Sequence, residues 1–125
     1  SRTTRQSRMR RRRGMANPGT PREMEHTDSA ALQARRAAGE QVQLLDVREP
    51  REHAGGVIEG AILMPMTNVP TKWTELDPSR PVYVICHLGG RSAQVASFLL
   101  QQGLRAVNVD DGMDGWQRRG FPTVR

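Results

Sequence analysis

Apolar residues fall into short runs separated by polar or glycine-rich breaks, and two periods alternate along the chain. The runs Val42 to Val47, Ala61 to Met64, Pro81 to Ile85 and Ala106 to Val109 have the length and near-continuous apolarity of strands buried on both faces. Helical spacing fills the intervals. Asp28 can cap a helix from Ser29 to Ala38, with Leu32, Ala34 and Ala37 or Ala38 toward the core and Gly39 suited to the left-handed position after its end. Pro50 to Ala54 reads as one helical turn closed by Gly55-Gly56, and Thr67 to Leu76 as a weaker helix, since Pro70 fits only a first turn. Arg91 to Gln102 shows clear helix periodicity through Val95, Ala96, Phe98, Leu99 and Leu100, and Met113 to Arg119 is a short helix carrying Trp116. Alternating strands and helices with apolar strands predict an α/β three-layer fold, a mainly parallel central sheet with helices on both faces.

Composition narrows the class. A chain of 125 residues with 36% hydrophobic content supports one core. The net charge of +6 and pI near 11.1 point to a polyanion partner until the charge is located. Arg2, Arg5, Arg8, Arg10, Arg11, Arg12 and Arg13 all lie in the first 14 residues, and residues 15–125 carry a net of −1. Residues 1–26, with the turn-rich Asn17-Pro18-Gly19-Thr20-Pro21, are expected to form a disordered basic arm, and 27–125 the folded domain. The chain opens on Ser1, with Met15 an ordinary start, so residues 1–14 read as expression-derived or translated upstream sequence. A nucleic-acid-binding arm is the sharper reading, weakened because no aromatics interleave the arginines. An import signal is weaker still, because Met9 and Met15 are the only sizeable apolar residues there. No apolar run reaches the roughly 20 residues that span a bilayer. One cysteine excludes an intrachain disulfide and multi-cysteine zinc sites, which reads as a cytoplasmic protein with a free thiol, no metal and no membrane association.

That cysteine carries the chemistry. Cys86 follows the strand Pro81–Ile85 and enters His87-Leu88-Gly89-Gly90-Arg91 before a helix, and ligands of open parallel sheets sit beyond the carboxyl ends of strands. A loop with two glycines can curl until successive N–H groups converge on the sulfur. Those groups, the helix N-terminus and Arg91 favour negative charge there and lower the thiol pKa. An inert core cysteine is the commoner fate of a lone cysteine after a strand. The glycines and arginine at a strand-to-helix junction turn the balance toward a nucleophile.

Three segments in order carry a family resemblance. They are Leu44-Leu45-Asp46-Val47-Arg48-Glu49-Pro50-Arg51-Glu52-His53 with Gly56-Val57-Ile58-Glu59-Gly60-Ala61; Cys86-His87-Leu88-Gly89-Gly90-Arg91-Ser92; and Asp111-Gly112-Met113-Asp114-Gly115-Trp116 with Gly120-Phe121-Pro122. Together they resemble the single-domain rhodanese sulfurtransferases. The resemblance implies that Cys86 thiolate takes sulfane sulfur from an anionic donor such as thiosulfate, becomes a persulfide, and passes the sulfur to cyanide, a thiol or a protein. It implies covalent catalysis with no metal or organic cofactor, by an enzyme expected to be a monomer. An alternative is a sulfur-relay or interaction module with little thiosulfate turnover. Phosphatases and arsenate reductases of related fold have loops one residue longer than the four residues between Cys86 and Arg91, which makes that reading remote. Val57 and Asp111 depart from the family pattern, where a histidine and a glycine are usual.

The remaining candidates are supporting residues. The loop His87, Leu88, Gly89, Gly90, Arg91 and Ser92 is the expected substrate or anion cradle. Asp46 and Arg48 read first as an ion pair fixing a neighbouring loop and second as catalytic. His53 reads as a packed side chain. His87 either aids anion binding when protonated or faces solvent. Arg91 either contacts substrate or braces the loop through a carboxylate, with bracing preferred. Ser92 caps the helix or bonds the persulfide. Trp73 and Trp116 read as core, with Trp116 also able to line the pocket mouth.

Overall fold

The computed structural model describes residues 23–125, and the rest of the expected basic arm lies outside them. Among the described residues five strands run β1 (Glu25–Thr27), β2 (Gln43–Asp46), β3 (Ile62–Leu63), β4 (Val82–Ile85) and β5 (Ala106–Val109), paired in the order β1-β5-β4-β2-β3. Every one of these pairings is parallel. The helices are α1 (Ser29–Ala37), α2 (Pro50–Ala54), α3 (Val69–Lys72), α4 (Gly90–Gln101) and α5 (Gly112–Arg118). Among the described residues no helix is long and apolar enough to cross a membrane.

Strand alternation sorts the apolar residues into two cores. Leu45, Val47, Val82, Val84 and Ala106 face Val95, Ala96 and Leu99 of α4, with Val69 of α3. Leu44, Tyr83, Ile85, Val107 and Val109 face the other way, against Leu32 of α1 and Met113 and Trp116 of α5. Full burial of each such side chain contributes roughly 1.5–3 kcal/mol, so the central strands hold the sheet that carries the site.

Two expectations are corrected. Glu25 and His26, assigned to the arm, form β1 and pair in register with Val107 and Asn108. This edge strand touches a single neighbour and needs no apolar run, so the hydrophobic pattern was silent. The expected helix Thr67–Leu76 breaks into a 3-10 turn (Met66–Asn68), the single turn α3 and a second 3-10 turn (Trp73–Glu75). Pro70 lies inside the first turn of α3, where its missing N–H costs nothing. Asp28 does cap α1, accepting from Ala31 N–H at 2.8 Å.

Parallel pairing brings the carboxyl ends of all the strands to one rim. β2 and β4 end together at Asp46 and Ile85, and Val47 N–H donates to Ile85 O at 3.0 Å beyond them. Cys86 and the Asp46–Arg48 corner therefore share that end of the sheet.

Candidate active site

Cys86 leaves β4 with its side chain fully buried. Its Sγ accepts the Gly89 N–H at 3.1 Å and lies 3.3 Å from Ser92 Oγ. Ser92 is itself buried on the first turn of α4, within reach of Gly89 O at 3.2 Å. Burial pushes the thiol pKa up, but hydrogen bonds from the Ser92 hydroxyl and from the N–H groups of Ser92, Gly89 and Leu88 outweigh it, and the net direction is down. The loop thus stabilises the thiolate relative to an ordinary buried thiol.

The loop holds this shape because other elements press on it. Gly89 is the residue before α4 and has φ +97°, in the left-handed region, and a Cβ there would collide with Asp110 O at the end of β5. From the opposite side α5 clamps the chain: Met113 N–H donates to Cys86 O at 2.8 Å and Asp114 N–H to His87 O at 3.0 Å. Gly112, at φ +59°, makes that approach possible, since a Cβ would strike both of those carbonyls. Asn108 on β5 completes the seat, donating from Nδ2 to Gly89 O at 3.3 Å and to Asp110 Oδ1 at 2.8 Å.

Arg91 turns to Glu52 of α2, with Nη1 to Oε1 at 2.7 Å and Nη2 to Oε2 at 2.9 Å. The Arg91 bonds hold the Glu52 carboxyl down to about 2, and Glu52 in turn raises the Arg91 pKa. Glu52 also accepts the Glu49 N–H at 2.9 Å in a reciprocal cap of α2. Asp46 and Arg48 form a buried pair, Nη2 to Oδ2 at 2.8 Å and Nε to Oδ1 at 3.0 Å, and Nη2 reaches on to Gly56 O at 2.9 Å. That geometry ties the β2 end to the chain just beyond α2. His53 lies mostly buried beside them, Nε2 at 3.4 Å from Asp46 Oδ1, without hydrogen-bond geometry.

The structure thus brings Cys86, Gly89 and Ser92 together. His87, Leu88 and Gly90 lie on the exposed side of the loop, with Leu88 66% exposed. Trp116 belongs to the core, 1% exposed, its Nε1 donating to Pro122 O at 2.9 Å and its ring edge-on to Phe121. A place at the pocket mouth is excluded by that burial. Asp111, the departure from the family's glycine, accepts Ser29 N–H at 2.8 Å and Ser29 Oγ–H at 2.6 Å, tying α5 to the start of α1. Sequence reading passed over Glu52 as the partner of Arg91, Gly112 as the clamp and Asn108 as the seat. Only Asn108 left a local signal, a polar residue inside an apolar strand.

Comparison with known proteins identifies the family. The Rhodanese-like domain family matches residues 28–119, and the chain belongs to that family. A sulfurtransferase of Allochromatium vinosum is 40% identical over 98 residues, covering 78% of this chain and 92% of its own. The Bacillus subtilis protein YtwF, also named as a sulfurtransferase, is 38% identical over 100 residues, covering 80% and 97%. The crystal structure of a rhodanese-like domain protein from Staphylococcus aureus superposes with a TM-score of 0.72 at 34% identity, covering 74% of this chain and 91% of that one.

Proposed function

We propose that this chain is a sulfurtransferase in which Cys86 carries sulfane sulfur as a persulfide. The observation that carries the reading is the buried Cys86 sulfur receiving the Gly89 N–H at 3.1 Å and lying 3.3 Å from the Ser92 hydroxyl, which favours the thiolate in spite of burial. The names of the relatives support a transferase of sulfur. In the reaction the thiolate attacks the outer sulfur of a donor such as thiosulfate. A new S–S bond forms, the old one breaks, and sulfite leaves with its electron pair. An acceptor nucleophile, whether cyanide, a thiol or a protein, then attacks the terminal sulfur and Cys86 departs as thiolate. Every step runs on the cysteine alone, with no metal or organic cofactor, in a protein acting as a cytoplasmic monomer.

A second reading, a relay module that receives sulfur from a partner, is favoured by the Arg91–Glu52 pair. The loop's arginine is already neutralised by a carboxylate, which weakens the pull on a dianion such as thiosulfate. Steady-state thiosulfate:cyanide assays separate the two. Ping-pong kinetics, abolished in Cys86→Ser, support the enzyme; sulfur exchange with a persulfidated protein without cyanide turnover supports the relay. Turnover that survives in Cys86→Ser refutes both.

A further inference from the structure

Asn108 is 3% exposed and sits on the face of β5 that Ala106 uses to pack toward α4. A polar side chain at such a place costs stability unless it is bonded. Both of its Nδ2 partners, Gly89 O and Asp110 Oδ1, are acceptors, which fixes the amino end of the amide there and leaves its Oδ1 buried without a partner. Asp110 Oδ1 also lies 2.8 Å from His26 Nδ1, anchoring the far end of the arrangement on β1.

The near end meets a problem of proton counting. Ser92 has one hydroxyl proton, and its Oγ stands 3.2 Å from Gly89 O and 3.3 Å from Cys86 Sγ. With a thiol, S–H donates to Ser92 Oγ and the hydroxyl proton goes to Gly89 O. A thiolate has no proton to give, so Ser92 must turn its own to the sulfur and abandon that carbonyl. Gly89 O then keeps Ala93 N–H at 3.2 Å and Asn108 Nδ2 at 3.3 Å. The peptide concerned joins Gly89 to Gly90, where no Cβ resists rotation.

We propose that Asn108 is a positioning residue for the Cys86 thiolate: it keeps a second donor, beside the Ala93 N–H, on the Gly89 carbonyl and so holds the loop peptide oriented when Ser92 turns its proton to the sulfur. The consequence for turnover rests on the sulfur-transfer reading, whereas the effect on the thiol does not. The charged or titratable groups on the elements packed around the arrangement are Asp110 and His26 on the β1–β5 side, His87 on the loop, Arg91, paired to Glu52, on α4, and Asp111 and Asp114 at the start of α5.

The test is ultraviolet thiolate titration of the full chain, with Cys86→Ser as the blank, for Asn108→Leu and Asn108→Thr, each alone and combined with Ser92→Ala. Val107→Ala serves as a packing control on the same strand, and circular dichroism identifies the folded variants. Either folded Asn108 variant is expected to raise the Cys86 pKa by about one pH unit, a tenfold loss of thiolate below it. Val107→Ala leaves the pKa in place. In the Ser92→Ala background the Asn108 effect should nearly vanish, because the proton it releases is gone. An unmoved pKa in a folded Asn108 variant, or an undiminished shift without Ser92, overturns the proposal. A titration that behaves as expected in a protein that neither thiosulfate nor a persulfide donor loads refutes the sulfur-transfer reading alone.

Discussion

Arg91 grips Glu52 through two parallel hydrogen bonds of 2.7 and 2.9 Å, joining the helix that follows the cysteine loop to the short helix that follows β2. The loop's arginine is therefore part of its frame. Glu52 is held at about 2 by these bonds, below its ordinary 4.5. A depressed folded pKa means that the stabilisation is complete above the unfolded value and is lost as pH falls through about 2. Glu52→Gln should cost about 1 kcal/mol at pH 7, the modest figure fitting a pair that is partly exposed. In urea titrations the gap between variant and parent should narrow as pH drops below 4.5. A gap that stays constant there contradicts the assignment.

Gly112 and Gly120 both have positive φ, but only Gly112 has backbone in the way of a side chain. Gly120→Ala should cost about 1 kcal/mol for conformation alone. Gly112→Ala adds a collision with the Cys86 and His87 carbonyls, which must force α5 off the loop. We expect it to cost at least about 2 kcal/mol more and to slow persulfide loading in the folded fraction. Equal losses for the two variants in chemical denaturation would show that the clamp is not tight.

The Asp46–Arg48 pair is buried on both sides, so removing one partner strands the other charge. Arg48→Ala should destabilise by about 3–5 kcal/mol. Gly56 O loses a donor in the same variant. Protein that remains folded should keep a Cys86 thiol with unchanged pKa, since neither residue is hydrogen-bonded to the sulfur. A shifted thiol pKa in folded Arg48→Ala would return these residues to the chemistry.

Ser92→Ala removes the hydroxyl that lies 3.3 Å from the sulfur. The hydrogen bond favours the thiolate, so its loss raises the thiol pKa, by about one pH unit for a bond of ordinary strength to a charged group. At neutral pH the rate of reaction with a small alkylating agent should fall accordingly and recover as pH rises. A rate that falls equally at high pH would point to blocked access in place of lost ionisation.

Much of the fold was written locally. β2, β4 and β5 are short apolar runs bounded by turn signals, and the loop after β4 announces itself through two glycines between a strand and a helix. β1 was not legible, because an edge strand reading Glu25-His26-Thr27 has no apolar signature and exists through pairing with β5. In the site, the cysteine and its loop were legible, and the three residues that hold the loop were not. Glu52 meets Arg91 across 39 positions and Asn108 meets Gly89 across 19, and no local pattern encodes such meetings. Thr67 to Leu76 reads as a weak helix with Pro70 confined to its first turn, yet only the folded chain shows that the helix amounts to one turn between two 3-10 turns.

The central claim is that Cys86 takes up sulfane sulfur, and intact-mass spectrometry after incubation with thiosulfate tests it most directly. The account predicts one added sulfur mass, removed by cyanide or a reducing thiol and absent from Cys86→Ser. Sulfur that loads equally on Cys86→Ser, or a parent protein that loads none from thiosulfate or from a persulfide donor, would contradict it.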